Sequence, residues 1–96
     1  MKPPVALREN RDQVLTIAAR HGAHNVRVFG SVARGEDTER SDLDLLVDMD
    51  EDRSLWDLGE LIDDVREALN CKVQIVTSDS LHRLLKDRIV TEALSI

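Results

Sequence analysis

Two short apolar runs bracket a polar segment, and this arrangement constrains the chain more than any other feature. The first, residues 26–29 (Val-Arg-Val-Phe), is β-branched and aromatic and leads directly into Gly30-Ser31. Residues 34–41 (Arg-Gly-Glu-Asp-Thr-Glu-Arg-Ser) have the composition of a loop. The second run, residues 43–47 (Leu-Asp-Leu-Leu-Val), is preceded by Asp42 and contains Asp44. Side chains at i and i+2 of a strand share a face, so Asp42 and Asp44 converge on one spot. Two hard oxygen donors at one spot suit Mg²⁺, which commonly takes one or two carboxylates plus substrate phosphates. A Gly-Ser turn beside them can offer backbone N–H groups and a hydroxyl to those phosphates. The pattern is that of metal-assisted nucleotidyl chemistry.

The bulk numbers bound what surrounds this site. A chain of 96 residues holds one small domain, residues 1–96, with one core and little to spare for accessory domains. At 42% hydrophobic and 33% charged residues it is globular. The net charge of −6 argues against a nucleic-acid backbone as partner, but Mg²⁺ can neutralise a nucleotide locally. Cys71 has no second cysteine to pair with, which fits a reducing, cytoplasmic setting and a half-buried small residue. No apolar run approaches the ~20 residues needed to span a membrane, and the N-terminus lacks a signal-peptide core.

Pattern places the remaining elements. Pro3-Pro4 opens a helix whose apolar residues (Leu7, Val14, Leu15, Ile17, Ala18) recur as far as Arg20, with Gly22 as its stop. Residues 26–29 and 43–47 are strands, and an acidic turn spans residues 48–53. Ser54 caps a strongly amphipathic helix, with Asp57 as its capping-box acid and Asn70 at its end. Residues 72–76 form a third strand, residues 77–80 a turn, and residues 81–94 one or two short helices. Strands two and three, joined by a helix, make a parallel βαβ unit. The expected fold is α/β (α+β): a small mixed sheet of three to four strands flanked by helices.

Gly30-Ser31-Val-Ala-Arg34-Gly35, followed by Ser41-Asp42-Leu-Asp44-Leu-Leu-Val47, resembles the signature of the DNA polymerase β-type nucleotidyltransferase superfamily. The small size narrows the resemblance to minimal nucleotidyltransferases, which are usually encoded beside a HEPN-domain partner. The resemblance runs from about Leu7 to the C-terminus. It implies a nucleotidyltransferase fold and transfer of AMP from ATP–Mg²⁺ to an acceptor hydroxyl, with pyrophosphate released. It further implies an antitoxin that attaches AMP to a tyrosine of a HEPN ribonuclease toxin and forms a hetero-oligomer with it. By the same resemblance Gly30, Ser31 and Arg34 hold the nucleotide, and Asp42 and Asp44 are catalytic and ligate Mg²⁺.

One position departs from the superfamily. Many members carry a third carboxylate on the strand matching residues 72–76, and here that position is Gln74. Glutamine is neutral and cannot act as a base. Either the enzyme works with two carboxylates, or the chain neutralises its partner by binding without chemistry. A small-molecule nucleotidyltransferase is a third reading, disfavoured by the lack of residues for an acceptor pocket. Asp48 and Asp79 are the replacement acids to consider, although Asp48 would lie about 13 Å beyond Asp44 on an extended strand. Arg34 either binds phosphate or is solvated, and Ser41 braces the loop. Trp56 is assigned to the core or a partner interface, ahead of an adenine stack. His21, His24 and His82 are read as surface or helix-end residues.

Overall fold

In the computed structural model, which describes residues 3–38, 40–81 and 83–96, four strands form one mixed sheet in the order β3-β2-β1-β4. The strands are β1 Ala23–Phe29, β2 Leu43–Met49, β3 Val73–Thr77 and β4 Leu94–Ser95. β1 is antiparallel to β2 and β4, and β2 is parallel to β3. Five helices accompany them among the described residues: α1 Pro3–Glu9, α2 Arg11–Arg20, α3 Gly30–Arg34, α4 Leu55–Leu69 and α5 Arg83–Glu92. The expected mixed sheet with helices is therefore present, including the βαβ unit β2-α4-β3.

Strand alternation separates a core face from a site face. Leu43, Leu45 and Val47 of β2, Val26 and Val28 of β1, and Val73 and Ile75 of β3 join one buried cluster with Val14, Ile17 and Ala18 of α2 and Leu61, Val65 and Leu69 of α4. Burying each of the valine, leucine and isoleucine side chains contributes about 1.5–3 kcal/mol. The intervening residues point the other way: Asp44, Leu46 and Asp48 on β2, Gln74 on β3, Arg27 and Phe29 on β1. Leu46 is fully buried yet lies outside that cluster.

α4 closes the parallel connection, and its ends are sequence-specified. The Trp56 N–H donates to Ser54 Oγ (3.2 Å), and the Ser54 N–H donates to Asp57 Oδ2 (2.9 Å). The Asp57 pKa falls accordingly, led by that backbone hydrogen bond. Asn70 ends the helix in the left-handed region at φ 51°.

Several expectations are corrected. The first helix is two, α1 and α2, separated at Asn10, whose backbone leaves the helical region (φ −117°, ψ 21°) while its N–H and side-chain amide both donate to the Ala6 carbonyl (3.1 and 2.9 Å). β1 begins at Ala23, ahead of residue 26, because a register shift between His24 and Arg27, with Asn25 at φ 50°, lets the strand continue through a bulge. Gly30–Arg34 is a helical turn rather than an irregular one. β2 extends to Met49, and β3 runs one residue later than expected. Leu94 leaves α5 to pair with Val28 as part of β4. His21 stands at the end of α2, one of the two placements expected for it, but is buried there, with its Nε2 2.7 Å from Asp64 Oδ2, and so joins α2 to α4. Trp56 is 82% exposed, which removes its core assignment. His24 is exposed and Cys71 half-buried, as expected, and burial raises the Cys71 thiol pKa. His82 lies outside the described residues. No helix among the described residues is long and apolar enough to cross a membrane.

Candidate functional site

β1 delivers the chain to the site. Phe29 is extended (φ −138°, ψ −172°) and Gly30 turns at φ 74° into α3. Phe29 pairs with Asp44 across the β1–β2 ladder, so Gly30 sits against the Asp44 side chain. A Cβ at Gly30 would overlap Asp44 Oδ2. Glycine is thus required twice, for its backbone and for the room it leaves. Ser31 follows in the first turn of α3, and among the described residues its hydroxyl has no hydrogen-bond partner. Its carbonyl accepts from the Glu36 N–H (2.9 Å), closing α3 at the left-handed Gly35.

Asp42 and Asp44 flank Leu43 at the start of β2, and Gln74 is the register partner of Asp44 on β3. The Gln74 amide donates weakly to Asp42 Oδ2 at 3.4 Å. The two acids feel each other. Burial raises the Asp44 pKa most, the charge of Asp42 raises it further, Arg34 lowers it, and Glu92 adds a smaller upward push. A half-buried carboxylate beside a second one favours a cation at that spot. No group of three metal-ligating side chains is gathered among the described residues. Two carboxylates fit Mg²⁺, which keeps waters and substrate oxygens in its shell, better than a structural zinc site.

Arg34, last residue of α3, is held by two carboxylates. Its Nε donates to Glu36 Oε2 (3.1 Å) and its Nη1 to Glu92 Oε1 (2.6 Å). Hydrogen bonding to Glu36, followed by the charge of Glu92, holds the guanidinium pKa above its ordinary value. Arg34 is thus ion-paired on a side chain that remains 41% exposed. Glu92 is the functional-site neighbour that sequence reading misses. It ends α5, 58 residues from Arg34, and no local pattern marks it. Ser41 braces the loop as expected, with its Oγ accepting from the Thr38 N–H (2.8 Å).

The two replacement acids are elsewhere. Asp48 pairs with His24 at the other end of β2. Its carboxylate accepts from Ser78 Oγ (2.6 Å), Asn25 Nδ2 (3.0 Å) and Arg27 Nη2 (3.0 Å). The Ser78 hydrogen bond leads in lowering its pKa, followed by that from Asn25. Asp79 is exposed in the 3₁₀ turn Ser78–Ser80, beyond the end of β3 remote from Gln74. Asp48 is thus a structural tie. Its depressed pKa contributes stability above the unfolded value near 3.9, and that stability is lost as pH falls through the lower folded value. Asp48→Asn should therefore lower unfolding stability at pH 7 by about 1 kcal/mol after solvent screening. In urea titrations the difference from the parent should shrink below pH 4.

Residues 11–96 match the family model described as "Nucleotidyltransferase domain". The chain is 40% identical over 90 residues to "Putative protein adenylyltransferase MJ0435" of Methanocaldococcus jannaschii, covering 94% of this chain and 97% of that one. It also superposes, with TM-score 0.86 and 47% identity, on a solved structure described as "putative minimal nucleotidyltransferase", covering 94% of this chain and 92% of the other. A second solved structure, a toxin–antitoxin with AMP-PNP, is similar at TM-score 0.77 and 22% identity, covering 90% of this chain and 71% of the other. At that identity the likeness is one of fold.

Proposed function

The chain belongs to the nucleotidyltransferase-domain family, and from that we propose that it is an antitoxin-type, cytoplasmic protein adenylyltransferase. It transfers AMP from ATP to a hydroxyl, a tyrosine in the expected case, of a HEPN ribonuclease toxin with which it forms a complex. The carrying observation is the pair Asp42 and Asp44 at the mouth of β2, packed against a glycine that admits no side chain. The adenylyltransferase name of the M. jannaschii relative and the AMP-PNP-bound fold neighbour support the same reading.

In this reading Gly30 and Ser31 offer N–H groups and the Ser31 hydroxyl to the triphosphate, and Arg34 adds charge. Asp42 and Asp44 would hold Mg²⁺, which when bound supplies charge neutralisation at the phosphates. The acceptor oxygen forms a bond to the α-phosphorus as the α–β anhydride bond breaks. Pyrophosphate leaves with the electron pair, and the acceptor proton passes to solvent. A phenol, of pKa about 10, needs less help from a base than an aliphatic hydroxyl does. Gln74 therefore serves as a neutral brace on Asp42 in place of a third acid. Because its hydrogen bond is long, Gln74→Ala should keep transfer within about tenfold of the parent in initial-rate assays.

The test is intact-mass measurement of the HEPN partner after incubation with this chain, ATP and Mg²⁺, beside an Asp42→Ala/Asp44→Ala control. A gain of AMP units that the control lacks supports the transferase. A stable complex with no gain supports the second reading, a binding antitoxin, which the neutral Gln74 beside Asp42 and Asp44 favours.

A further inference from the structure

We propose that Glu92 is a positioning residue: its carboxylate competes with the phosphates of a nucleotide for the Arg34 guanidinium and so sets how tightly triphosphate is held. The inference rests on the reading of Arg34 as a phosphate ligand.

The pair joins the end of α5 to the end of α3 through a 2.6 Å contact between Nη1 and Oε1. Of the two carboxylates on Arg34, Glu92 is the sheltered one, with 16% of its side chain exposed against 65% for Glu36. A sheltered ion pair is screened less by salt than an exposed one. α5 has no buried residue of its own, and this contact ties its end to α3. The guanidinium presents five N–H donors, and the strong mode of phosphate binding uses two of them side by side. Glu36 occupies Nε and Glu92 occupies Nη1, which leaves Nη2 without a partner among the described residues. A phosphate that engages Arg34 through both terminal nitrogens would share Nη1 with Glu92 and meet its charge.

The sign of the effect separates this role from simple bracing. Glu92→Gln frees a donor on Arg34 and removes a negative charge near an incoming polyphosphate, and both changes favour nucleotide. A brace that merely held α5 in place would give the opposite result, since loosening it would weaken the site.

The experiment is titration calorimetry of the full chain with the Mg²⁺ complex of α,β-methylene-ATP. Glu92→Gln should lower Kd about 3–10-fold, the range that loss of one partly exposed ion pair allows. Glu92→Asp should stay within about twofold, because it keeps the charge. Arg34→Ala should weaken binding, and adding Glu92→Gln to it should restore nothing. In the unaltered protein, the Arg34 Nε–H resonance should move as analogue is added, a readout that needs no variant to fold. If Arg34→Ala weakens binding but Glu92→Gln weakens it too or leaves it unchanged, the competition is overturned while Arg34 remains a phosphate ligand. If the chain does not bind the analogue, or Arg34→Ala binds it normally with an unmoved resonance, the reading of Arg34 fails and the role of Glu92 falls with it.

Discussion

Asp44→Asn will cut AMP transfer by about 10³-fold or more while raising the thermal midpoint of the chain measured without metal. The loss follows from the proposed role: it removes one of the two carboxylates that would hold Mg²⁺, whose share of charge stabilisation is worth several kcal/mol at about 1.36 kcal/mol per tenfold in rate. The gain follows from the environment of Asp44, where burial first and Asp42 second push the carboxyl pKa up. An acid whose pKa rises on folding destabilises the folded state once it ionises. That cost is absent below the unfolded pKa near 3.9, grows as pH rises through it, and is complete above the raised folded value. Asparagine has the same shape and no charge, so its advantage should be full at pH 8 and vanish near pH 3. Melting curves across that range, with and without Mg²⁺, measure both halves. Mg²⁺ should stabilise the parent by mass action and leave the variant nearly unmoved. A lower midpoint for the variant at pH 8 without metal would show that Asp44 is a structural ligand of its surroundings and carries no stored electrostatic cost.

Gly30→Ala will damage the same site through geometry. The left-handed backbone at φ 74° costs a non-glycine residue about 1–3 kcal/mol. The new methyl must also displace Asp44 Oδ2, which lies in the space it would fill. A displacement near 1 Å at a reacting centre can cost about 10²-fold in rate, so transfer should fall by at least that much. Gly35 supplies the control. It is equally left-handed at φ 72°, but a Cβ there meets nothing within 4 Å. Gly35→Ala should therefore show a backbone cost in urea unfolding and keep most of its transfer rate. Equal activity losses in the two variants would mean that the Gly30–Asp44 approach is not what sets the site.

The legible part of this molecule is the part written in local pattern. The apolar strand at residues 43–47, the capping box of α4 and the helix end at Asn70 are each read from a few neighbouring residues, and each stands in the structure. Asp42, Asp44 and Gly30 are equally local, so their convergence follows from strand geometry, and the Asp44–Gln74 pairing follows from the parallel register. What escapes local reading is decided at a distance. His21 looks like a helix-end surface residue until α4 brings Asp64 to its ring. Leu94 reads as helical until β1 offers a free edge. Glu92 is one charged residue among many in the last helix, and only tertiary packing sets it on Arg34. The break at Asn10 is a change of backbone angles at a single residue (φ −117°, ψ 21°), with the apolar spacing carried on across it, so periodicity does not mark it.

The strand order has a consequence for how the chain acquires its chemistry. Gly30, Ser31, Asp42 and Asp44 all lie within residues 30–44, on and between two strands that pair antiparallel. Loop-closure entropy grows only logarithmically, yet it is least for short connections, and this one is short. The parallel partner β3 needs the whole of α4 to return, and Glu92 arrives later still in the chain. The paired carboxylates thus reside in the strand pairing with the shortest connection and the lowest entropic barrier to closure, while Gln74 and Glu92 are brought to them by the long-range contacts that complete folding.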